Sequence, residues 1–502
     1  MSDILKYKHF IDGAWTDGES GEKMDVINPA TGEVVARAPK GTKGDADRAL
    51  ASARTAFESG VWSGKSLEER SMILLKAAGL TAINKEKLAY LETITSGATI
   101  QRTMNCDVNV ILFSLMGSTG VAGMLPKVEH ATMFSPAVIP MHSYYKREPI
   151  GVCLGITPWN FPMALAIMKI APALTMGNCI VMKPASTTPI STLELAKIFS
   201  DAGVPPGVFN VVSGPGASMG EYMAGHPEVD KIGFTGSTEV GKRIGEIAAR
   251  GIKRVTLELG GKSPLIILND ADMETAVNMG ALAFCAHQGQ ICMSGTRLFV
   301  PRPMQNEFVS KLIAKVKSLK MGDTLDPTTK LGPIANETQM NTVLNYIEIG
   351  KQEGAELVSG GKRVTEGAFA KGFYVEPAIF INCTNKMKHV REEIFGPVQC
   401  VIPYDDVDEA IAMANDTMYG LASGVCSTNA SRAQRVASKL RAGNVYINTY
   451  HIVRPDAPFG GYKESGIGRE SCYHALQAYS EVKHVVQNHA AGVDFFGMLG
   501  DM

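Results

Sequence analysis

The sequence has no CxxC pair, no block of like charges, no low-complexity tract and no repeat of solenoid period. Its nine cysteines, Cys106, Cys153, Cys179, Cys285, Cys292, Cys383, Cys400, Cys426 and Cys472, are odd in number and scattered. Neither a disulfide framework nor a zinc knuckle is expected from them, no metal is expected, and a reducing cytoplasm fits best. With 49 basic against 50 acidic side chains there is no polyelectrolyte field to attract nucleic acid or an anionic bilayer. Small molecules or further copies of the chain are the expected partners. The first residues, MSDILKYKHFIDG, lack the basic start and apolar stretch of a secretory signal and the Arg/Ser-rich pattern of a transit segment, so neither is expected. The apolar region from Ile150 to Met182 is interrupted by Pro158, Asn160, Pro162, Lys169, Pro172 and Asn178, and is not expected to cross a membrane.

What is present is 502 residues, 45% of them hydrophobic, enough for about three domains. From about residue 150, short β-rich runs alternate with helical stretches, the pattern of a parallel sheet with crossover helices. Strands are expected at Val152 to Thr157, Cys179 to Lys183, Phe209 to Val212, Lys231 to Thr235 and Val255 to Leu259. One intervening helix is expected to take Thr188 as N-cap and Pro189 as first residue and to stop at Gly203. Another, from about Glu239, would bury Val240, Ile244, Ile247 and Ala248 on one face. This reads as a doubly wound unit. The alternation restarts after Ser263, with strands at Pro264 to Leu268, Leu298 to Val300 and Val398 to Pro403 and a helix from Met273, so a second α/β domain is expected. Two appendages remain: Met124 to Arg147, with its alternating His142, Tyr144 and Lys146, and a strand at Val482 to Val486 followed by an apolar tail with Phe495, Phe496, Met498 and Leu499. Neither is long enough to fold alone, and each is expected to pair with the other or with a neighbouring subunit.

Four segments could carry chemistry. In FCAHQGQICMSGTR, Cys292 follows a polar and apparently flexible Gln288-Gly289-Gln290, which would expose it to a ligand, although most free cysteines are buried apolar groups. In VTLELGGKSP, Glu258 ends a β-run before two glycines, at the carboxyl edge where open α/β sheets bind ligands, and could be a general base or merely accept turn amides. FTGSTEVG is strand, glycine turn and helix start, a shape that can receive a phosphate; neither it nor GPGASMG at Gly214 to Gly220 matches the GxGxxG spacing. GITPWNFP puts Asn160 in a proline-bounded loop, as an oxyanion donor or a plain turn residue.

Together with KPAS at Lys183 to Ser186, EEIFGPV at Glu392 to Val398 and PFGGYKESGIGRE at Pro458 to Glu470, these segments closely resemble the aldehyde dehydrogenase superfamily, in its hydrolytic, non-acylating branch. The resemblance extends from FIDGAW at Phe10 and INPATGE at Ile27 to Glu470. It implies an α/β fold with a Rossmann-like cofactor-binding domain (1–123 and 148–262), a catalytic domain (263–470) and a small β oligomerisation element (124–147 and 478–502), assembled as a homodimer or homotetramer. It implies Cys292 as nucleophile, Glu258 as the base that activates water, Asn160 with the Cys292 amide as oxyanion hole, and Lys169 with Glu470 as a pair passing protons from the base. Lys183, Glu393 and Phe395 resemble cofactor-ribose residues. Ile156, Thr157, Trp159, Ser186, Gly236 and Ser237 match other positions along NAD or NADP. The substrate tunnel would be lined by Leu165, Met168, Ile291, Met293, His451, Val453 and Phe459.

Other readings are an acylating dehydrogenase passing the acyl group to coenzyme A, which Glu258 argues against, a catalytically silent relative, and a cofactor-independent cysteine hydrolase. A semialdehyde dehydrogenase would use Arg454 near the tunnel, but a surface arginine is the simpler reading, and a medium aliphatic or aromatic aldehyde is favoured. Ser186 stands where the family often has a glutamate, which removes a charge that would repel a 2′-phosphate and makes acceptance of NADP the expectation. The segment TSGATI, Thr95 to Ile100, lacks the lysine expected after its glycine.

Overall fold

The strands expected for the two α/β units form, with boundaries shifted by a residue at most, and they assemble into two large sheets, while the strand expected at Val482 to Val486 is two residues longer at each end and lies outside them. This is seen in a computed structural model that describes residues 4–124, 129–130, 141–489 and 491–492. The first sheet has eight strands in the order Gly466–Ile467, Arg254–Glu258, Lys231–Thr235, Val152–Ile156, Cys179–Lys183, Phe209–Val211, His9–Ile11, Ala14–Thr16. Its five central strands are parallel, and each is fully buried except Arg254–Glu258, whose outer end is open. Burial on both faces explains why these strands read as continuous apolar runs rather than alternating ones. From Val152–Ile156 the chain winds outward through Cys179–Lys183 and Phe209–Val211, then returns to lay Lys231–Thr235 and Arg254–Glu258 on the other side. The strand order therefore reverses beside Val152–Ile156, and the crevice beyond its carboxyl end is where such sheets bind ligands.

The second sheet has seven strands, Glu356–Ser359, Ala378–Ile381, Val398–Tyr404, Arg297–Pro301, Pro264–Ile267, Ala422–Cys426 and Asn444–Ile447, all parallel but for the first pair. The chain returns to the first sheet at Gly466–Ile467, which pairs antiparallel with Arg254–Glu258 and sets Gly466 opposite Glu258. Segment 459–470 thereby closes over the end of the Glu258 strand. The two appendages pair with each other: Ser480–Asn488 runs antiparallel to Met141–Pro149 along nine residue pairs. The tail residues Phe495, Phe496, Met498 and Leu499, and residues 125–128 and 131–140 of the first appendage, lie outside the described residues.

Two helix expectations need correction. The helix after Lys183 runs Ile190–Ala202 with Pro189 at its cap, and the Thr188 hydroxyl makes no capping bond; Gly203 does end it, in left-handed geometry at φ 109°. The next helix, Thr238–Arg250, is capped by Ser237, whose hydroxyl accepts from the Val240 amide. Its buried stripe is Thr238, Gly241, Ile244 and Ala248, while Val240 is 40% exposed. Gly241 takes the inner place because a Cβ there would lie 2.2 Å from Leu259 Cδ2.

An apolar helical run, Ile100–Gly123, is long enough to cross a membrane, and here it packs on helices Leu67–Ile83, Pro162–Thr175 and Cys472–Ala478. It contains a π-helical turn at Thr103–Asp107. Such turns widen the helix and often mark functional positions.

Candidate functional site

Cys292 lies on the wall of a cavity of about 430 Å³ between the two sheets. Leu165, Met168, Ile291, Met293, His451, Val453, Phe459 and Asn160 line the same cavity, so all seven expected tunnel residues meet there. The wall also contains residues that motif reading missed: Arg102 and Cys106 from the π-turn region, Val110, Phe161, His287 and Lys330. No local pattern marks them, because the π turn breaks helical periodicity and the rest come from four separate segments.

Arg102 is fixed in place. It donates to Asp107 at 2.8 and 3.2 Å and to the Asn160 carbonyl at 3.0 Å, and its guanidinium lies 4.1 Å from the Phe161 ring centre. Asp107 thus neutralises the charge at the wall. Arg454 is instead exposed and held by Asp456 at 2.7 and 2.8 Å, which matches the surface reading of that residue. Ala98, where a lysine was expected, is fully buried between cavity residues Gly97 and Thr99, and nothing in the structure gives the change a function.

The loop before Cys292 is buried and tied down by hydrogen bonds, where a flexible one was expected. Gln288 and Gln290 are buried. Gln288 donates to the carbonyls of Gly332 and Val375 at 2.8 and 3.2 Å, and Gln290 donates to His287 and accepts from the Ala335 amide at 2.8 Å. The Gln290 amide satisfies the loop's own His287 carbonyl, and the remaining bonds satisfy backbone groups of the segments packed against it, Gly332, Ala335 and Val375. The loop also holds His287 and Gln288 at φ 46° and 55°, a left-handed geometry that costs roughly 1–2 kcal/mol per non-glycine residue and persists only where surrounding bonds impose it. At Gly289 a side chain is excluded, since a Cβ would sit 2.2 Å from the Gly396 carbonyl oxygen. The Asn160 side-chain amide donates to the Gln290 carbonyl at 2.8 Å, which aims it at the same turn.

Around the Cys292 sulfur the field is unfavourable to charge. Burial pushes its thiol up, the carboxylates of Glu393 and Glu258 add to this, and the amides of Met293 and Cys292 act the other way. Gly261 lets the Glu258 strand end approach, because a Cβ there would lie 2.3 Å from the Cys292 carbonyl oxygen. Glu258 is buried and neither of its carboxylate oxygens has a hydrogen-bond partner. Burial holds its carboxyl well above the usual range, the negative charge of Glu470 raises it further, and Lys169 and Arg469 oppose. Lys169 and Glu470 form a wholly buried pair at 2.5 Å, with the ammonium also donating to the Thr235 hydroxyl at 2.6 Å.

The crevice at the strand reversal fits a dinucleotide. Gly236 lies in the turn before helix Thr238–Arg250 with no room for a side chain, as a Cβ would be 2.5 Å from Phe234 Cζ. Ser237 caps the following helix, whose amides face the crevice, and the hydroxyls of Thr157 and Thr238 are buried without partners. Lys183 is buried with one bond, to the Pro184 carbonyl at 3.2 Å, and burial lowers its ammonium to about 8. It is a cation in want of an acceptor such as a ribose hydroxyl. Ile156 ends the strand that precedes Thr157, and Ser186 lies half-buried in the turn after Lys183. Opposite, Glu393 accepts from the Gly261 amide at 3.1 Å and is raised to about 7 by burial, while Trp159 and Phe395 meet edge to face at 5.3 Å.

Residues 15–485 match the aldehyde dehydrogenase family model. Betaine aldehyde dehydrogenase from Staphylococcus aureus, in complex with NAD+, superposes with a TM-score of 0.94 at 39% identity, covering 97% of this chain and 96% of that one. An indole-3-acetaldehyde dehydrogenase from P. syringae, a cysteine-to-alanine mutant in complex with NAD+ and IAA, gives 0.93 at 39% identity and 97% coverage of both chains. Another indole-3-acetaldehyde dehydrogenase, with NAD+, gives 0.93 at 40% identity and the same coverage.

Proposed function

Because the chain belongs to the aldehyde dehydrogenase family, we propose that it oxidises a medium aliphatic or aromatic aldehyde to the carboxylic acid, using NAD and also accepting NADP. The observation that carries this reading is the convergence of Cys292, Asn160 and an apolar cavity on one side with the orphaned carboxylate of Glu258 on the other. Lys183, Glu393, Trp159, Phe395, Gly236 and Ser237 would hold the dinucleotide. A bound nicotinamide supplies the hydride acceptor that turns the first adduct into a thioester.

The protein's own residues do the rest. Cys292, as thiolate, bonds to the aldehyde carbon, and the displaced electron pair rests on the carbonyl oxygen, held by the Asn160 side-chain amide and the Cys292 amide. A thiol serves because it attacks near neutral pH and later leaves. Glu258 takes a proton from water as the water oxygen bonds to the thioester carbon, releasing the acid and the thiolate. The Lys169–Glu470 pair, whose charges act on Glu258, would pass that proton on. If these roles hold, Glu258→Gln keeps a single-turnover burst of reduced cofactor while steady turnover falls by about 10²–10⁴, and Cys292→Ala loses both. Normal steady turnover of Glu258→Gln would overturn the assignment.

The cavity supports an apolar substrate. Among the described residues its lining holds no carboxylate and two cationic side chains, Arg102 and Lys330. A quaternary ammonium aldehyde would meet no compensating charge there, whereas an aryl acetaldehyde would meet Phe161, Phe459 and aliphatic walls. The same proposal includes assembly. Val482 and Val486, each 53% exposed, stand out from the Ser480–Asn488 strand, which supports a homodimer or dimer of dimers joined through it. Light scattering is expected to give a multiple of the chain mass, and a monomer at micromolar concentration would overturn that part.

A further inference from the structure

On the far side of the Glu393 loop, in the core of the second sheet, two cysteines and a histidine converge. Cys383 follows strand Ala378–Ile381, Cys400 lies within the adjacent parallel strand Val398–Tyr404, and His389 sits on the one-turn helix Lys388–Arg391 between them. All three are buried, and their ligand atoms, Sγ, Sγ and an imidazole nitrogen, lie within 4.8 Å of one another. The Cys383 sulfur is 3.7 Å from His389 Nε2. On the other edge of the ring, Nδ1 is 3.1 Å from Glu353 Oε2. The ring is also seated by the absence of a side chain at Gly350, where a Cβ would come 3.2 Å from His389 Cδ2.

We propose that Cys383, Cys400 and His389 form a three-ligand site for a thiophilic d10 cation, copper(I) or zinc(II). Three features support it. A trigonal site with metal–sulfur distances of ~2.3 Å and a metal–nitrogen distance of ~2.0 Å separates sulfur and nitrogen by about 3.7 Å, the spacing seen here. A carboxylate on the distal nitrogen fixes the tautomer and raises the basicity of the nitrogen facing the sulfurs, as it does for metal-bound histidines generally. Two thiolates would carry two negative charges, and the buried Lys262 ammonium, which donates to the His389 carbonyl at 2.9 Å, is at hand to balance the excess over a monovalent cation. A thiol–imidazole hydrogen bond would explain the Cys383 contact. Without an ion the Cys400 sulfur has the His389 carbonyl at 3.7 Å and Glu353 also accepts from the Lys388 amide at 2.8 Å, so the pocket is a hydrogen-bonded cluster that an ion would convert to coordination. Coordination replaces two protons, which leave to solvent, and needs no oxidant. No sequence motif marks it, because the ligands are 6 and 11 residues apart in order and meet only through strand adjacency.

An ion there would tie both strands to the helix that leads into Glu393 and Phe395. The test uses the full chain carrying Cys106→Ser, Cys292→Ala and Cys472→Ser, which removes the cysteines that are not buried. After chelator treatment, it is titrated anaerobically with copper(I) against a chromophoric competitor and, separately, with zinc(II). One equivalent of either ion is expected to bind with a sulfur charge-transfer band for copper, to slow hydrogen exchange in residues 388–396, and to raise the melting temperature. The two arms identify the ion. Cys383→Ser and Cys400→Ser should lose all of these effects. Glu353→Gln, which keeps the three ligands in case the serine variants fold poorly, should bind about 10–100-fold more weakly. Binding of neither ion, binding unchanged in the serine and Glu353→Gln variants, or a Cys383–Cys400 disulfide found by peptide mapping of the native chain would overturn the proposal.

Discussion

The two walls that meet at Cys292 are built on opposite principles. The wall toward the cavity is mostly apolar, and its part-buried cation Arg102 is matched by Asp107 and the Asn160 carbonyl. The wall toward the first sheet gathers ionisable groups, Glu258, Lys169, Glu470, Lys183 and Glu393, and leaves the Glu258 carboxylate with no partner at all. Burying an uncompensated charge costs several kcal/mol, so such a wall persists only because the apolar cores of both sheets hold it in place. In the proposed reaction one wall would sort molecules by size and polarity. The other sets the protonation states on which the proposed chemistry depends, and changes to each should separate these effects.

The largest expected effect breaks the charged wall through pH. In the proposed reaction Glu258 acts when deprotonated, and its folded value is raised, so turnover should fall about tenfold per unit of pH below that value, and the protein should work best on the alkaline side. The thiol of Cys292 is raised too and is also needed as its base form, which pushes in the same direction. The two members of the buried pair act on Glu258 with opposite sign. Glu470→Gln removes a charge that raises it, so the acidic limb of the deacylation profile should move to lower pH; Lys169→Met removes a charge that lowers it, so the limb should move to higher pH. Single-turnover thioester hydrolysis followed from pH 5 to 10 checks this. Shifts of the same sign in both variants would show that the pair acts through structure rather than charge.

The apolar wall should respond to volume and hardly to pH. Met168 is buried in the cavity wall on the fully packed helix Pro162–Thr175. Met168→Trp should narrow the cavity and lower kcat/KM for aryl acetaldehydes by about 10-fold or more, with a smaller loss for short aliphatic aldehydes, since misfit in an apolar pocket is worth roughly 1–3 kcal/mol. Equal losses for both classes would mean that the side chain does not set size selection.

The same contrast explains what could be read from the sequence. The parallel strands were legible because burial on both faces leaves long apolar runs, and Cys292, Glu258 and Asn160 were legible because each sits in a distinctive short segment. Residues whose role depends on three-dimensional proximity were not. Gln288 and Gln290 look like a flexible polar loop until Gly332, Val375 and Ala335 are placed beside them. Val240 fits an apolar helix face by spacing, yet the close approach of Leu259 gives the inner position to Gly241. Arg102 precedes a π turn, and no periodic pattern predicts where a side chain next to such a turn will point.

The smallest expected effect concerns the outer rim of the charged wall, where the cofactor's adenosine end would lie. Ser186 is half-buried in the turn after Lys183, open enough to solvent for water to screen charge there. In that setting two like charges about 4 Å apart repel by only ~1 kcal/mol, or roughly fivefold in binding. The serine hydroxyl can donate to a 2′-phosphate or a 2′-hydroxyl, and Lys183 offers its ammonium to either. The unmodified protein is therefore expected to use both dinucleotides, with a lean to NADP. Ser186→Glu should lower kcat/KM for NADP about fivefold and change that for NAD much less, because a carboxylate repels the phosphate and accepts from the hydroxyls. Steady-state kinetics with each cofactor at fixed aldehyde checks the point. Equal losses with both cofactors, or an unmodified protein inactive with NADP, would show that residue 186 does not decide between them.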